Sequence, residues 1–541
     1  MAIRNGQPVR FSPKGVCDAF DSTDAFAGAC RTLSNLVFDQ GNPELVVSRP
    51  GVGTALTTFG SFTTPTFVSV HIAIGNVIYG MVSTARNPGQ DEPFAYNILT
   101  NTFTTITGVT AGNTPTSPSS NPASAWTPPT MDVISTKIIV THPGFSGTGA
   151  NFFGVIDISN PAAPTWTSAN TATNPLPGVP TSVANFNNRA YFAVGNVDYF
   201  SDVLVPTTRT NASQSVTLGD TTPITAQSGL PIQTTSSGVL GALVVFKGSQ
   251  IWQITGDPVT NNLALNYITL TTGTVSPRSV VQGPFGIFFA AVDGPYVLSY
   301  VGTLGALSHT PGQDAPPDLQ VPFQNATTPS RMAASFTGNV YRACMATVVQ
   351  GVAGTNDYWY DIRRKRWTGP HTFSYDCVSQ VGDFFILSGS AHGAALFKSQ
   401  CIPDTTSVYN DAGTNLTSHM TSSSFPKTGH MAQVQVIEST IELSSSGLAV
   451  NYNLSALDGN YNPLNSTFIL TTSSGTLWGA GVWGSFLWAS AANVPKVYTI
   501  PWSIPLVFQK MSIDVMVTSS QSVSIGTFFA RYADTGYTNQ G

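Results

Sequence analysis

Apolar and polar residues alternate in short runs along most of the chain, and turns separate the runs. Alternation with a period of two is typical of a β-strand with one buried face, and two such runs around a short turn predict a hairpin. In seven places a turn leads directly into a run of β-branched and aromatic residues: VIYGMV after Gly75-Asn76, IIV after Ser135-Thr136-Lys137, AYFAV after Asn187-Asn188-Arg189, IWQI after Gly248-Ser249-Gln250, IFFAAV after Gly286, VYRACM after Gly338-Asn339, and FFIL after Gly382-Asp383.

One hairpin phrase recurs three times. It consists of an aromatic or aliphatic residue, Asp or Asn, Ile, a polar turn, and an aromatic residue followed by Thr. The copies run from Tyr96 to Thr104, from Ile156 to Thr167, and from Tyr360 to Thr368 within the longer stretch Asp357 to Phe397. A phrase that is repeated along a chain indicates repeated structural units.

The spacing of the hairpins predicts the architecture. Between residues 65 and 400 they follow one another at intervals of roughly 40 to 60 residues, close to the length of one four-stranded propeller blade. Blades packed in a ring also leave few open sheet edges. The sequence therefore predicts an all-β protein with a six- or seven-bladed β-propeller. A string of β-sandwich domains is the alternative, but it would less readily repeat one phrase at this interval.

The patterning changes on either side of this array. Residues 1–64 form an N-terminal arm with a few strands, 65–400 the propeller, 401–430 a linker, and 431–541 an added antiparallel β-sandwich built from the C-terminal segment. Two insertions, 107–130 and 311–330, are rich in Pro, Ser and Thr and predict long exposed loops. In a ring-forming protein, such loops would reach neighbouring subunits.

The composition limits the function. Hydrophobic residues make up 41% of the 541 residues and charged residues only 9%, so a solvated disordered chain is excluded. No apolar run reaches the roughly 18 residues of a membrane-spanning helix, and a net charge of -5 indicates no general affinity for nucleic acid. Sparse charge is common on exported and virion proteins, although an ordinary β-rich protein with neutral loops is equally consistent. The N-terminus lacks the apolar core of a signal peptide, which predicts synthesis in the cytoplasm.

A search for catalytic and metal-binding patterns finds none. The five cysteines form no C-x-x-C pair, and the seven histidines are never four residues apart, so neither a zinc site nor another cofactor is predicted. Glycoside hydrolysis needs two carboxylates that flank one bond. The candidates lie in or beside hairpin turns, where Asp commonly bonds its own backbone, and we therefore predict that the protein is not an enzyme. These candidates are Asp132, Asp157, Asp293, Asp361 and Asp383.

Two clusters remain as candidate contact surfaces. The turn Arg363, Arg364, Lys365 and Arg366 is the one dense basic patch, and it would contact DNA phosphates or an acidic partner, or else remain a solvated hairpin tip. Trp478, Trp483 and Trp488 lie close together in the sequence. They would form an interface or sugar platform if exposed, and the core of the sandwich if buried.

The chain resembles the tail hub, or nozzle, proteins of short-tailed bacteriophages, including packaged-DNA stabilisation proteins. The resemblance rests on RTLSNLVFDQGNPELVVSRPGV (Arg31 to Val52), on two central stretches (Gly241 to Asp257 and Val275 to Tyr300), and on VMVTSSQSVSIGTFFARY (Val515 to Tyr532). Because these stretches lie at both ends and in the centre, the resemblance is to the overall layout. The insertion at 107–130 and the low charge depart from the family pattern.

The resemblance implies a structural virion protein, assembled in the host cytoplasm and located in the virion tail. It implies a homo-hexameric ring that docks on the adaptor, or head-to-tail connector, protein beneath the portal. Tailspikes or tail fibres attach around such hubs, a tail needle or plug closes some of them, and genomic DNA passes through the channel without sequence specificity. From the residues alone, a carbohydrate-binding propeller or adhesin remains the alternative.

Overall fold

Nearly all regular structure in the computed structural model is β-strand. The structure describes residues 8–19, 27–84, 89–116, 129–235, 238–258, 262–309, 316–349, 352–424, 432–443, 449–457, 463–471, 496–500, 507–508 and 510–534. Within these ranges a single α-helical turn occurs, Val321–Gln324, together with the 3-10 turns Pro277–Ser279, Pro329–Arg331 and Ser390–His392. None of the described helices is long and apolar enough to cross a membrane.

The chain divides into two compact units. Residues 55–357 and 374–399 form the propeller unit, and residues 1–54, 358–373 and 400–541 form the second unit, which we call the terminal unit. The chain leaves the propeller unit within the strand Val352–Asp361 and returns at Ser374. Residues 358–373 thus lie outside the propeller, although the sequence assigned them to it, because the boundary falls inside a strand and no turn signal marks it.

The propeller unit contains seven blades, which we call blades 1 to 7: six are separate four-stranded sheets, and blade 6 consists of three strands of a larger sheet. Their strands are, in blade 1, Pro65–Ile74, Val77–Thr84, Gln90–Asn97 and Thr102–Thr104; in blade 2, Thr130–Ile134, Lys137–Thr141, Phe153–Asp157 and Thr165–Ala169; in blade 3, Ser182–Phe186, Arg189–Val194, Val197–Phe200 and Ser215–Thr217; in blade 4, Ile224–Thr235, Gly238–Lys247, Ile251–Thr255 and Ala264–Thr269; in blade 5, Val281–Gly283, Gly286–Ala291, Gly294–Ser299 and Leu304–Ala306; in blade 6, Ala333–Thr337, Val340–Val349 and Val352–Asp361; and in blade 7, Cys377–Val381, Phe384–Ser388, Ala395–Ser399 and Thr57–Thr58. A minor parallel pair joins Ala172–Thr173 to Thr208–Arg209.

The blades form a closed ring. The first strand of each blade contacts the first strand of the next, and the first strand of blade 7 contacts that of blade 1. Five apolar clusters lie where blades adjoin, in the pairs 7 and 1, 1 and 2, 2 and 3, 3 and 4, and 4 and 5. Each fully buried large apolar side chain in such a cluster contributes about 1.5–3 kcal/mol. The prediction of a six- or seven-bladed propeller is therefore confirmed, with seven blades.

Blade 7 is completed by a strand from the other end of the propeller segment. Thr57 and Thr58 pair antiparallel with Leu396 and Ala395, so the start of the unit is hydrogen-bonded to its end. Phe59, the next residue, is fully buried in the cluster between blades 7 and 1. The propeller therefore begins before residue 65, and its closure joins residues more than 300 positions apart in the sequence.

The repeated phrase has a local physical cause. In each copy the Asp or Asn side chain accepts hydrogen bonds from backbone N–H groups that follow it: Asn97 from Leu99 and Thr100, Asp157 from Ser159, and Asp361 from Arg363 and Arg364. Such bonds fix the turn of a hairpin. The aromatic residue after the turn then pairs across the hairpin, as Phe103 does with Tyr96 and Trp166 with Ile156. In all three copies the phrase therefore forms the turn of a hairpin.

The terminal unit draws its strands from both ends of the chain. One sheet contains Pro8–Phe11, Leu36–Phe38, Val46–Ser48, Ala432–Leu443, Lys496–Ile500, Val507–Phe508 and Val523–Asp534, and the other strands are Gly15–Val16, Ala29–Ser34, Arg366–His371, Asn410–Asp411, Thr414–Ser422, Ala449–Leu457, Pro463–Thr471 and Lys510–Ser519. The C-terminal segment thus does not build this unit alone. Val523–Asp534 pairs with both Pro8–Phe11 and Val46–Ser48, and these long-range pairs leave no signal in the local alternation of residues.

The two predicted insertions are only partly within the described ranges. The described end of the first packs back on blade 2, because the Trp166 indole N–H donates to the Asn113 carbonyl at 3.0 Å. The described part of the second contains the helical turn Val321–Gln324. Residues 117–128 of the first insertion, 311–315 of the second and 425–430 of the predicted linker lie outside the described residues.

Candidate functional site

A cavity of about 490 Å³ lies where the first strands of the seven blades meet. Its walls are short stretches of these strands together with the 3-10 turn that precedes blade 5. Many of the lining side chains are neutral and polar, and three can ionise. The polar and ionisable lining residues include His71, Asp132, Asn185, Gln227, Arg278, Gln282, Ser335 and Gln380.

Hydrogen bonds between blades fix several of these side chains. The Asn185 amide of blade 3 donates to the Val133 carbonyl of blade 2 at 2.7 Å. The Ser182 hydroxyl of blade 3 donates to the Gln227 amide oxygen of blade 4 at 2.8 Å, and the Gln282 amide of blade 5 donates to the Gly229 carbonyl of blade 4. Side chains that are held in this way are pre-organised, which lowers the entropy cost of binding a ligand.

Asp132 is the one carboxylate of the five candidates that lines the cavity. One of its oxygens accepts the backbone N–H of Asn185 at 2.6 Å and the other that of Val133 at 2.7 Å. Burial raises the pKa of Asp132 above its usual value, and the two N–H groups oppose the rise. The Asp132 carboxylate of blade 2 is therefore hydrogen-bonded to the backbone of blade 3.

The structure does not bring the other carboxylate candidates to this site. Asp157 and Asp361 cap the hairpin turns described above, and hydrogen bonds from Ser159 lower the pKa of Asp157. Asp293 accepts the Tyr296 hydroxyl at 2.6 Å in a turn of blade 5, and Asp383 lies in the first turn of blade 7. No second carboxylate stands beside Asp132 among the residues that line the cavity.

Behind the cavity wall lies a buried carboxyl group that the sequence analysis missed. The Gln227 amide N–H donates to one oxygen of Asp198 at 2.6 Å, and the other Asp198 oxygen is buried without a partner. Asp198 is fully buried, and desolvation raises its pKa to about 8. At neutral pH this group is mainly protonated, so it is an uncharged support for Gln227.

Arg278 and His71 form the basic part of the wall. Arg278 donates to the Cys377 sulfur at 2.7 Å. Burial lowers the pKa of His71 well below its usual value, and the nearby charge of Arg278 lowers it further, so His71 is neutral at pH 7. Its Nε2 lies 3.0 Å from the Ser69 hydroxyl. Neither residue was a candidate from the sequence, because neither lies in a recognisable motif. An alignment of the seven repeats on their first strands could have drawn attention to His71 and Gln227.

The basic turn does not line this cavity, since residues 363–366 belong to the terminal unit. Arg364 packs over the Phe38 ring at 5.1 Å and donates to the Asp39 carbonyl. Arg366 donates to the Lys365 carbonyl at 2.9 Å, while Arg363 and Lys365 are exposed. Two of the four charges are thus engaged within the unit and two face solvent, and their role in contacting DNA or a partner stays a prediction.

The remaining candidates add no chemistry within the described ranges. Trp478, Trp483 and Trp488 lie outside the described residues. All five cysteines are free and buried, and burial raises the pKa of Cys30, Cys344 and Cys377. Across the described part of the chain, no group of three or more His, Cys, Asp or Glu side chains is arranged to hold a metal ion.

Comparison with known proteins finds similar solved structures but no family. No family model and no curated protein matches the chain. Among solved structures, it is similar to a puromycin-hydrolyzing peptidase of Mycobacterium tuberculosis (11% identity over 62% of this chain and 51% of the peptidase, TM-score 0.36). It is also similar to the β-propeller domain of the trilobed protease from Pyrococcus furiosus (9% identity over 62% and 95%, TM-score 0.33). A third match is an exo-β-1,3-galactanase from Phanerochaete chrysosporium (9% identity over 90% and 99%, TM-score 0.25).

These matches correct one prediction. The exclusion of enzymatic activity is wrong as a general statement, because the matched structures are described as peptidases and glycosidases. The chain spans about half the length of the matched peptidase. At such low identities and TM-scores the likeness concerns the fold alone, and neither a substrate nor a reaction passes to this protein from the matches.

Proposed function

We propose that the protein is a carbohydrate-binding propeller, and that the saccharide occupies the central cavity. The observation that carries this proposal is the cavity wall of amide and hydroxyl side chains, held by hydrogen bonds between blades. Amides donate and accept hydrogen bonds at once, and so do the hydroxyl groups of sugars. A cavity of about 490 Å³ lies within the size range of small-molecule sites.

A glycan array with the intact protein tests this proposal. The informative variants are Gln282→Ala and Gln380→Ala, because both side chains line the cavity and are exposed to it or to solvent. Gln324→Ala is the matched control, since Gln324 is exposed on the helical turn away from the cavity lining. We expect saccharide binding that falls at least tenfold in the two cavity variants and not in the control. Binding unaffected by all three substitutions would place the sugar elsewhere.

A second candidate function is that of a tail hub, or nozzle, in the virion of a short-tailed phage. It rests on the sequence resemblance; two of the stretches that carry this resemblance are neighbours in a single sheet, where Val46 pairs with Ile525 and Val47 with Ser524. The resemblance to tail hub proteins concerns the layout of the two ends and the centre of the chain. On this proposal the protein forms a hexameric ring, docks on the adaptor protein, carries tailspikes or fibres, and conducts genomic DNA, with a needle or plug closing some assemblies.

Mass measurement and electron microscopy of the protein mixed with its adaptor ring test the second candidate. A ring that stacks on the adaptor supports it, and a monomer that ignores the adaptor contradicts it. The two functions are separable, because saccharide binding through Gln282 and Gln380 does not depend on ring formation.

A further inference from the structure

Arg278 crosses one end of the central cavity. It lies in the 3-10 turn Pro277–Ser279, immediately before blade 5, yet its guanidinium donates to Cys377, the first residue of blade 7. Blades 5 and 7 are not neighbours in the ring, because blade 6 stands between them. Arg278 is also one of the residues that line the cavity. The guanidinium therefore lies at the end of the cavity where the first strands begin.

No side chain that lines the cavity forms an ion pair with Arg278. Its Nε and Nη2 atoms are buried and have no hydrogen-bond partner, and its remaining bond is to a thiol that burial keeps protonated. Of the other ionisable lining residues, His71 is neutral at pH 7, and the Asp132 carboxylate bonds backbone N–H groups of blades 2 and 3 and not Arg278. A guanidinium whose buried nitrogens lack a partner favours a nearby anion.

We propose that Arg278 is an anion-recognition residue, and that the saccharide bound in the cavity is acidic, carrying a carboxylate or sulfate group. This inference rests on the proposed carbohydrate-binding function and specifies its ligand. The acidic group is drawn to the Arg278 end, and the neutral hydroxyl groups lie along the amides of Gln227, Gln282 and Gln380. Because the free guanidinium nitrogens are buried, the selection operates through the charge of the guanidinium.

The test is a comparison of matched probes by isothermal titration calorimetry. The probes are D-glucose, D-glucuronate and glucose 6-sulfate, so that one neutral hydroxymethyl group is replaced by a carboxylate or is sulfated. We expect one or both acidic probes to bind at least tenfold more tightly than glucose. The two acidic arms distinguish carboxylate from sulfate as the preferred group. In Arg278→Gln the preference should disappear, and in Arg278→Lys, which keeps the charge, a reduced preference should remain.

The outcomes separate this inference from the function on which it rests. Glucose bound as tightly as both acidic probes, or a preference that survives in Arg278→Gln, overturns the acidic-ligand inference and leaves carbohydrate binding intact. If neither the array nor the probes show saccharide binding, both proposals are overturned.

Thermal unfolding of ligand-free protein provides a second readout. Because two buried nitrogens of Arg278 have no partner, Arg278→Gln should be at least as stable as the wild type, and a strong loss of stability would show that the charge serves the fold. If Arg278→Gln does not fold, Arg278→Lys and the wild-type preference decide the matter.

Discussion

Arg342 and Asp357 form a salt bridge in which each side chain is only 1% exposed. The pair lies at the junction of blades 6 and 7, where Arg342 also donates to the Ser399 hydroxyl at 2.8 Å and packs over the Tyr375 ring at 4.8 Å. The Tyr375 hydroxyl in turn donates to Asp357 at 2.8 Å. Asp357 is the last residue before the chain leaves the propeller unit, so a polar network holds the ring together where the chain is interrupted.

We expect Asp357→Asn to lower the free energy of unfolding of the propeller by about 3–5 kcal/mol, because it leaves the Arg342 guanidinium buried without a counter-charge. Urea denaturation followed by tryptophan fluorescence measures the change. The double variant Arg342→Met, Asp357→Leu should lose much less, since it removes both charges. The exposed pair Arg10 and Glu44 is the control, and Glu44→Ala should change stability by less than about 1 kcal/mol. Equal effects of Asp357→Asn and Glu44→Ala would contradict this account.

Asp198 makes stability depend on pH. Burial raises its pKa in the folded protein to about 8, from 3.8 when unfolded. Between these values the folded state holds a proton that the unfolded state has lost, so stability falls as the pH rises. The slope approaches about 1.4 kcal/mol per pH unit for one proton. The stabilisation by protonated Asp198 is fully present below about pH 4. It is lost as the pH rises through the pKa of Asp198 in the folded protein.

Asp198→Asn should remove this dependence, because the amide keeps the shape and does not ionise. We expect the free energy of unfolding of Asp198→Asn, relative to that of the wild type, to increase from about pH 4 to 8. Asp157→Asn is the opposite control. Hydrogen bonds lower the pKa of Asp157, so its contribution is lost only as the pH falls into the acid range. Chemical denaturation at several pH values gives both profiles, and parallel curves for wild type and Asp198→Asn would refute the assignment.

Gly154 supports the aromatic residue of the second repeated phrase. The indole ring of Trp166 lies across Gly154, so that a methyl group at this position would overlap the ring. Trp166 is fully buried and cannot move outward without loss of the cluster between blades 1 and 2. We expect Gly154→Ala to cost about 1–3 kcal/mol, as overpacking of a core does.

The matched control for Gly154→Ala is Gly112→Ala, because nothing lies within 4 Å of the position its methyl group would take. Thermal unfolding should show a clear decrease for Gly154→Ala and little change for Gly112→Ala. Trp166→Leu introduced into the Gly154→Ala background should cost less than in the wild-type background, since the smaller side chain relieves the overlap. Additive effects of the two substitutions would mean that ring and methyl group do not meet.

The features that local patterns encode could be predicted from the sequence, and those that join distant residues could not. The phrase around Asp157 predicts its hairpin because an Asp side chain and the next backbone N–H groups determine the turn. The pairing of Leu396 with Thr57 depends on closure of the whole ring, which no local window contains. The cavity was missed for the same reason. Its wall takes a few residues from each of seven blades, and Gln227 or Arg278 alone has no motif.

The basic turn provides a last prediction, because its four side chains divide into two kinds. Arg364 contacts Phe38 and the Asp39 carbonyl, whereas Arg363 and Lys365 are exposed. We expect Arg364→Ala to lower the free energy of unfolding by about 2 kcal/mol, through loss of a charged hydrogen bond and a cation–π contact. Arg363→Ala and Lys365→Ala should each stay within about 0.5 kcal/mol of the wild type.

A DNA-binding measurement tests whether the two exposed charges, Arg363 and Lys365, have a role different from that of Arg364. If the turn contacts phosphates, as the tail-hub proposal allows, changing both Arg363 and Lys365 to Ala should weaken binding to duplexes of any sequence alike. The slope of log affinity against log salt concentration should fall in magnitude by about 0.9 for each lost contact. Fluorescence anisotropy over a range of salt concentrations measures that slope. The same slope in wild type and double variant would mean that these two charges only solvate the hairpin tip, which is the alternative that their exposure also permits.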